Sequence, residues 1–351
     1  MIIGVDPHKG SHTATAVSPI TNAPASSLRV DATLAGYRQL LRWGKAFPER
    51  QWAIENAHGL GRHLAQWLIA RGEIVVDVRT TATARVRELS RGGGRKNDML
   101  DASAAASIAA AQGDVSPVRA EDETCVFALL EERRANVAAH RVRLANQLHA
   151  LLRDLVPGGA RPALTAASAT ALLRGLRPLS AAERTRKQIA RELVSEIRAT
   201  DARLALTAEQ MTAALSARDT RLQQVQGIGP VTAVRLLGRT GRASRFPSAA
   251  AFANYAGVAP IEVASGDRAR HRLSRSGDRQ LNSALHLVAV TQVRMPHSLG
   301  CSYFDRKVAE GKTRNEAMRC LKRRLADHVW RLMLADERRH ERPTAAATVI
   351  A

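Results

Sequence analysis

The chain has 351 residues, with 53 Lys+Arg against 32 Asp+Glu and a formal charge of +21 at pH 7. With 45% hydrophobic residues it can build conventional cores, which excludes a wholly disordered basic protein. Its length suits two domains and a connector. No run approaches the ~18 apolar residues of a membrane helix. The opening MIIGVDPHKG has neither the basic nor the apolar region of a secretion signal. Three dispersed cysteines, Cys125, Cys301 and Cys320, form neither a zinc spacing nor a disulfide framework. A reducing cytoplasm is the expected setting, with no membrane partner.

So large a positive charge points to a polyanion, nucleic acid above all. Arginine outnumbers lysine 46 to 7 in an alanine-rich chain, a bias that GC-rich coding DNA produces unaided. The charge is also uneven: residues 218–342 carry 24 basic and 11 acidic side chains. Aromatics make up only 3%, so arginine–phosphate contact is expected rather than base stacking.

In chain order, Ile2–Asp6 is a short apolar run closed by an acid and predicts a strand. His12–Val17 and Ser27–Ala32 predict two more, the first returning as a hairpin. Leu34–Phe47 has helical spacing, Gln51–Asn56 reads as a buried strand and Leu60–Ala70 as a helix. Glu73–Arg79 reads as a strand with a helix after it. That order gives an α/β domain with a mixed sheet over residues 1–112.

After Gly113 the strand signals cease. Phe127, Leu130, Val137, Leu144, Leu148, Leu151 and Leu155 recur mostly on steps of three and four, a coiled-coil seam interrupted by Arg134 and Arg141. Pro157-Gly158-Gly159 ends that helix, and residues 181–217 supply another, with Ile189, Leu193, Ile197 and Leu204. Residues 113–217 are therefore expected to form an antiparallel helical connector, closed on itself or on a second protomer. A third, mainly α part is expected over 218–342, with 343–351 as a frayed tail.

Four acids stand out by position. Asp6 and Glu55 end predicted strands, and Asp98 and Asp101 open a helix at i and i+3, on one face. Like charges repel, so carboxylates gather usefully only around hard cations. Two Mg²⁺ ions, or Mn²⁺, need several anionic oxygens and can clamp both sides of a phosphodiester displacement. Taken singly, Asp98 and Asp101 read more readily as solvated acids stabilising a helix N-terminus. The ordered set is the layout of ribonuclease-H-like nucleases.

In the C-terminal part, Gly227 and Gly229 of VQGIGPVTA make a helix-hairpin-helix-like turn. It either seats a phosphate on backbone N–H groups or simply joins two helices tightly. Arg268, Arg270, Arg272, Arg275 and Arg279 crowd a Gly- and Ser-flanked stretch that reads as a phosphate-gripping loop. Ser265 stands at its head. A serine is a nucleophile only if something takes its proton and cations stabilise the transition state. Composition does not separate it from Ser274 or Ser276.

These motifs together resemble the DEDD-type insertion-sequence transposases that use an element-encoded bridge RNA. The matching segments are IGVDPHK, IENAHG, GRKNDMLDA, VQGIGPVTA, RFPSAAAFANYAGVAP, ASG and SRSGDRQLNSALH. The resemblance implies a RuvC-like N-terminal domain, a coiled-coil connector and a C-terminal transposase domain. It implies metal-binding roles for Asp6, Glu55, Asp98 and Asp101, and a nucleophilic role for Ser265 in Ala264-Ser265-Gly266. It also implies donor and target DNA, a structured guide RNA, and a dimer or tetramer whose protomers can share an active site. The expected location is beside the nucleoid. Two places depart from the pattern: Asn56-Ala57-His58-Gly59 after Glu55, and Ser276 where a basic residue is usual.

Other classes remain to be weighed. A Mg²⁺-dependent Holliday-junction-resolvase-like endonuclease needs the carboxylates but no serine. A sugar-kinase-like ATPase needs a late phosphate loop after a strand, whereas Gly227 and Gly229 sit between helices. A non-catalytic RNA- or DNA-binding scaffold explains the charge and leaves the acids without a reason.

Overall fold

The computed structural model describes residues 1–89, 97–111, 115–265, 268–273 and 277–341. The chain divides into two compact units, Met1–Glu121 and Asp122–Ala351.

The first unit is built on a six-stranded mixed sheet. Its strands are β1 (Ile2–Pro7), β2 (Ser11–Val17), β3 (Pro24–Asp31), β4 (Gln51–Glu55), β5 (Val75–Val78) and β6 (Ser116–Pro117), in the order β3-β2-β1-β4-β5-β6. β1, β4 and β5 run parallel, while β2 is antiparallel to β1 and β3. This is the ribonuclease-H-like arrangement. β1 and β4 are apolar between their polar ends because both of their faces are covered. Alternation sorts their residues: Ile3, Val5, Trp52 and Ile54 pack with Tyr37 and Leu40 of α1 (Leu34–Gly44) and with Leu64 and Leu68 of α2 (Arg62–Ile69). Ile2 and Ala53 face the other way, toward Ala105, Ala106 and Ala109 of a later helix.

The single helix expected after β5 is two, α3 (Thr80–Leu89) and α4 (Asp98–Ala111). α4 is alanine-rich because it lies close on the sheet, against β1, β2 and β4. At Gly4 an added Cβ would stand 1.8 Å from the Ala102 carbonyl oxygen, so only glycine permits this approach. Strand signals also do not stop at Gly113: β6 adds an antiparallel edge to β5.

The second unit opens with α5 (Glu123–Leu155) and α7 (Ala181–Arg218), with α6 (Ala166–Gly175) between them. Asp122, Thr165 and Ser180 cap their N-termini, the latter two through reciprocal capping boxes. Glu123 pairs with Arg218, Arg141 with Asp201 (2.6 Å) and Asp154 with Arg186 (3.5 Å). Advance along α5 is retreat along α7, so the two helices form the expected antiparallel hairpin within one chain. Arg141 interrupts the seam without breaking it because Asp201 meets it there.

The hairpin's distal end has its own core, with Leu144, Leu148 and Leu152 against Leu193, Val194 and Ile197. Its root does not. Phe127, Met211 and Leu215 join the core of the C-terminal helices. Those elements are α8 (Pro230–Thr240), α9 (Ala249–Tyr255), β7 (Pro260–Ser265), β8 (Arg268–Leu273), α10 (Arg279–Arg294), α11 (Leu299–Ala309) and α12 (Arg314–Glu341). Short 3₁₀ turns stand at Arg221–Gln224 and Ala243–Arg245.

The arginine-rich stretch expected as a loop is therefore largely a β-hairpin, since β7 and β8 pair from Pro260↔Leu273 to Ser265↔Arg268. Among the described residues, no helix is long and apolar enough to cross a membrane.

Candidate active site

Asp6 and Glu55 come together through strand register. β1 and β4 pair in parallel from Ile2↔Gln51 to Val5↔Ile54, and one further step sets Asp6 beside Glu55. Adjacent strands are about 4.8 Å apart. Asp6 shares parity with Ile2 and Gly4, and Glu55 with Ala53. Both therefore belong to the face that α4 covers.

α4 runs antiparallel to β1. Ala102 and Ala106 lie over Gly4, and the first turn, with Asp98 and Asp101, lies toward the Asp6 end. Asp6, Glu55 and Asp101 are buried, and Asp98 is half-exposed. Strand register thus sets Asp6 beside Glu55 at the C-terminal end of the central strands, and the first turn of α4 brings Asp98 to Asp6, whereas Glu55 and Asp101 are not in the group of ligand atoms within 4.8 Å of one another.

Neighbours hold the acids in place. Thr83 Oγ1 of α3 donates to Glu55 Oε1 (2.9 Å), and Arg29 Nη1 of β3 donates to Asp98 Oδ2 (3.2 Å). Arg29 is itself braced by Ser11 Oγ at 3.0 Å. His8, two residues beyond Asp6, has Nδ1 3.7 Å from Asp6 Oδ2 and Nε2 4.0 Å from Asp98 Oδ1. Ligand atoms of Asp6, His8 and Asp98 all lie within 4.8 Å of one another. An open cleft of about 540 Å³ adjoins Asp98, lined by Thr13, Ser27, Leu28, Arg29, Asn97 and Met99, with room for a nucleotide. After Glu55 the chain turns on Asn56 in the left-handed region (φ 50°), which Asn tolerates.

Sequence reasoning missed His8, Arg29 and Thr83. His8 carried a signal, an imidazole two positions after a strand-end acid. Arg29 and Thr83 carried none, because only the fold brings them near. His12, alongside on β2, is held down to about pKa 4 by burial and by the neighbouring His8 and His63.

In the second unit, Ser265 ends β7 opposite Arg268, and Arg270 and Arg272 take alternate positions along β8 opposite Val263 and Ile261. Arg275, with Ser274 and Ser276, lies outside the described residues. So do Gly266 and the tail 343–351.

The roots of the β7–β8 hairpin are tied together. Asn282 donates to the Gly257 carbonyl (2.8 Å) and accepts from buried Lys322 (2.6 Å). Asp278 caps α10 at the Leu281 N–H and takes Arg239 Nε at 2.8 Å, leaving Arg279 exposed at the first turn. Asp278 thus anchors the start of α10 to α8. Gly227 adopts φ +85° with Thr291 close behind it, and Gly229 caps α8 ahead of Pro230. Gln292 holds this turn through the Gln226 carbonyl at 2.7 Å.

Two family models match the chain in order. Residues 3–157 match the DEDD transposase model of IS110, and residues 219–303 match the transposase IS116/IS110/IS902 family. Together they take in more than half of the chain. The chain belongs to the IS110-type DEDD transposases. The 44.8 kDa protein of insertion element IS116 from Streptomyces clavuligerus is 27% identical, over 96% of this chain and 95% of its own length. A probable family 20 transposase of Pseudomonas aeruginosa is 30% identical over 54% of this chain and 58% of its own. A solved structure, T. thermophilus RuvC in complex with Holliday junction substrate, aligns with 33% of this chain and 98% of that one, at 14% identity and a TM-score of 0.26. As a transposase, the chain is an enzyme and DNA is its substrate.

Proposed function

We propose that this transposase cuts and rejoins DNA by transesterification. In this reading Asp6, Glu55, Asp98 and Asp101 hold divalent cations, Mg²⁺ or Mn²⁺ and two per site, and Ser265 is the nucleophile. What supports it is the strand register that sets Asp6 beside Glu55, the first turn of α4 on the same face, and the ligand atoms of Asp6, His8 and Asp98 within 4.8 Å of one another. The residues suit such ions: the donor set is rich in hard carboxylate oxygens, and the buried His8 Nδ1 faces Asp6 without a hydrogen-bond partner. When bound, the ions supply Lewis-acid polarisation of the phosphoryl oxygens and stabilise the leaving oxygen.

The chain's own groups do the rest. Asp6 and Glu55 would hold the ions at the C-terminal end of the central strands, and α4 closes one side of the site. The Ser265 hydroxyl gives up its proton to solvent water as its oxygen bonds to phosphorus. The phosphorus–oxygen bond to the departing deoxyribose then breaks, and the departing oxygen takes up a proton from water. The phosphoserine so formed preserves the energy of the broken linkage for rejoining. Arg268, Arg270, Arg272, Arg275 and Arg279, with the Gly227–Gly229 turn, grip backbone phosphates.

The basic surplus of residues 218–342 also supports a structured RNA partner that selects the DNA. The long α5–α7 hairpin supports assembly as a dimer or tetramer in which units of different protomers meet on DNA.

The test is adduct trapping on a suicide DNA substrate. The wild-type chain should form a covalent protein–DNA species that Ser265→Ala and Asp98→Asn both abolish. An adduct surviving in Ser265→Ala removes the serine. Cleavage without any adduct would instead mark a hydrolytic, resolvase-like endonuclease.

A further inference from the structure

We propose that His8 is a further ligand of the divalent cation at the carboxylate site, through Nδ1, and that the resulting nitrogen–oxygen donor set favours a transition ion such as Mn²⁺ over Mg²⁺. The proposal rests on the reading of Asp6 and Asp98 as metal ligands and adds a residue that a carboxylate tetrad does not contain.

The geometry points to it in three ways. His8 sits two residues past Asp6, just where β1 ends and before β2 begins, so the turn of the strand pair delivers its ring to the acids. One ligand atom each from Asp6, His8 and Asp98 falls within 4.8 Å of the others, and among the described residues no other group of three His, Cys, Asp or Glu residues does so. Two donors bound to one ion are always separated by less than that. The third observation concerns the ring itself. His8 Nδ1 is buried and has no hydrogen-bond partner, yet it stands 3.7 Å from a carboxylate oxygen. In the tautomer that leaves the lone pair on Nδ1, the ring and the carboxylate repel each other, and a cation between them turns that repulsion into two bonds.

The other nitrogen completes the pattern. Nε2 faces Asp98 Oδ1 at 4.0 Å. A ligating histidine commonly presents its second N–H to a carboxylate, which fixes the tautomer and raises the basicity of the bound nitrogen. At 4.0 Å the contact is an ion-pair distance, so Asp98 orients the ring by its charge. Arg29, on the opposite oxygen of Asp98, fixes that carboxylate in turn. Carboxylate and water suit Mg²⁺, whereas an imidazole nitrogen adds affinity chiefly for transition ions. The alternative is an imidazolium that merely bridges two carboxylates, and it needs no ion at all.

Electron paramagnetic resonance of Mn²⁺ on the full-length chain separates these cases without reference to activity. Wild-type protein with bound Mn²⁺ should show electron-spin-echo modulation from a directly coordinated ¹⁴N. His8→Gln should lose that modulation and bind Mn²⁺ ~10-fold or more weakly. Its Mg²⁺ affinity, measured by competition, should change by less than ~3-fold, because Mg²⁺ gains little from nitrogen. Bound Mn²⁺ without nitrogen modulation in the wild type overturns the proposal and leaves the carboxylate site standing, and this arm needs no variant to fold. Nitrogen modulation that persists in His8→Gln overturns it also. Failure of the wild type to bind Mn²⁺, or binding unaffected by Asp6→Asn, overturns both the proposal and the metal site beneath it.

Discussion

Gly4 is where the seat of α4 can be tested most sharply. A methyl group there would lie 1.8 Å from the Ala102 carbonyl oxygen and 2.7 Å from the Ala106 nitrogen, both backbone atoms that no rotamer change can move aside. Carbon–oxygen contacts settle near 3.3 Å, so Gly4→Ala must lift α4 off β1 by about 1.5 Å. Asp101 immediately precedes Ala102, and Asp98 lies one turn before it, so the acids move with the helix while Asp6 and Glu55 stay in the sheet. Reacting groups tolerate about 0.5 Å of misplacement, and about 1 Å can cost on the order of 100-fold in rate.

Overpacking alone costs about 1–3 kcal/mol of stability. Gly4→Ala should therefore cut strand-transfer rate by at least ~100-fold, with urea unfolding shifted by that smaller amount. Gly10→Ala, where a Cβ meets nothing within 4 Å, is the matched control and should stay near wild type in both assays. Rates are compared at equal folded fraction. A folded Gly4→Ala chain that transfers strands at the wild-type rate would refute the claim that α4's close approach sets the acids.

Further outcomes are expected elsewhere. Asp201→Ala leaves Arg141 unpaired in the hairpin seam and should cost ~1 kcal/mol by urea denaturation; adding Arg141→Leu should recover it, and a neutral Asp201→Ala would show the pair to be idle. His12 has its pKa lowered from 6.5 to about 4, so the unfolded chain binds a proton that the folded one refuses. Stability is then full above pH ~6.5 and falls toward pH 4 by up to ~3 kcal/mol; His12→Gln should flatten that slope, and an unchanged slope would assign it to other groups. DNA binding should weaken steeply between low and physiological salt as counterions are released, and a flat response would argue against arginine–phosphate contact. Nucleic acid co-purified with the expressed element should include one discrete RNA encoded beside the gene; DNA-only preparations that still recombine would remove the guide.

Much of the first unit was legible because its central strands announce themselves. IIGVD and WAIE are apolar on both faces, and each ends in the acid that the sheet then places at the C-terminal end of its central strands. Asp98 and Asp101 were legible from their i, i+3 spacing at a helix start. β6 was not, since Ser116 and Pro117 join the sheet by backbone pairing alone. The division of α3 from α4 was hidden too, because neither has a clear amphipathic rhythm.

The β7–β8 hairpin was obscured by charge. Arg268, Arg270 and Arg272 drew attention as a phosphate grip, while their period of two was itself the strand signal. Beside that cluster, the fold gives Asp278 two jobs, as the cap of α10 and as the partner of Arg239. His8 stood in plain view in VDPHK. Its proximity to Asp98, 90 residues later in the chain, depends on α4 crossing β1 at Gly4.

The central claim is that Asp6, Glu55, Asp98 and Asp101 form one cation site on the α4-covered sheet edge. Crystals of the full-length chain grown with Mn²⁺ and measured at the manganese absorption edge test it most directly. The strongest anomalous peak should lie between β1, β4 and the first turn of α4, and it should vanish in Asp6→Asn. A strongest peak elsewhere, or a wild-type map with none at that edge, would contradict the account.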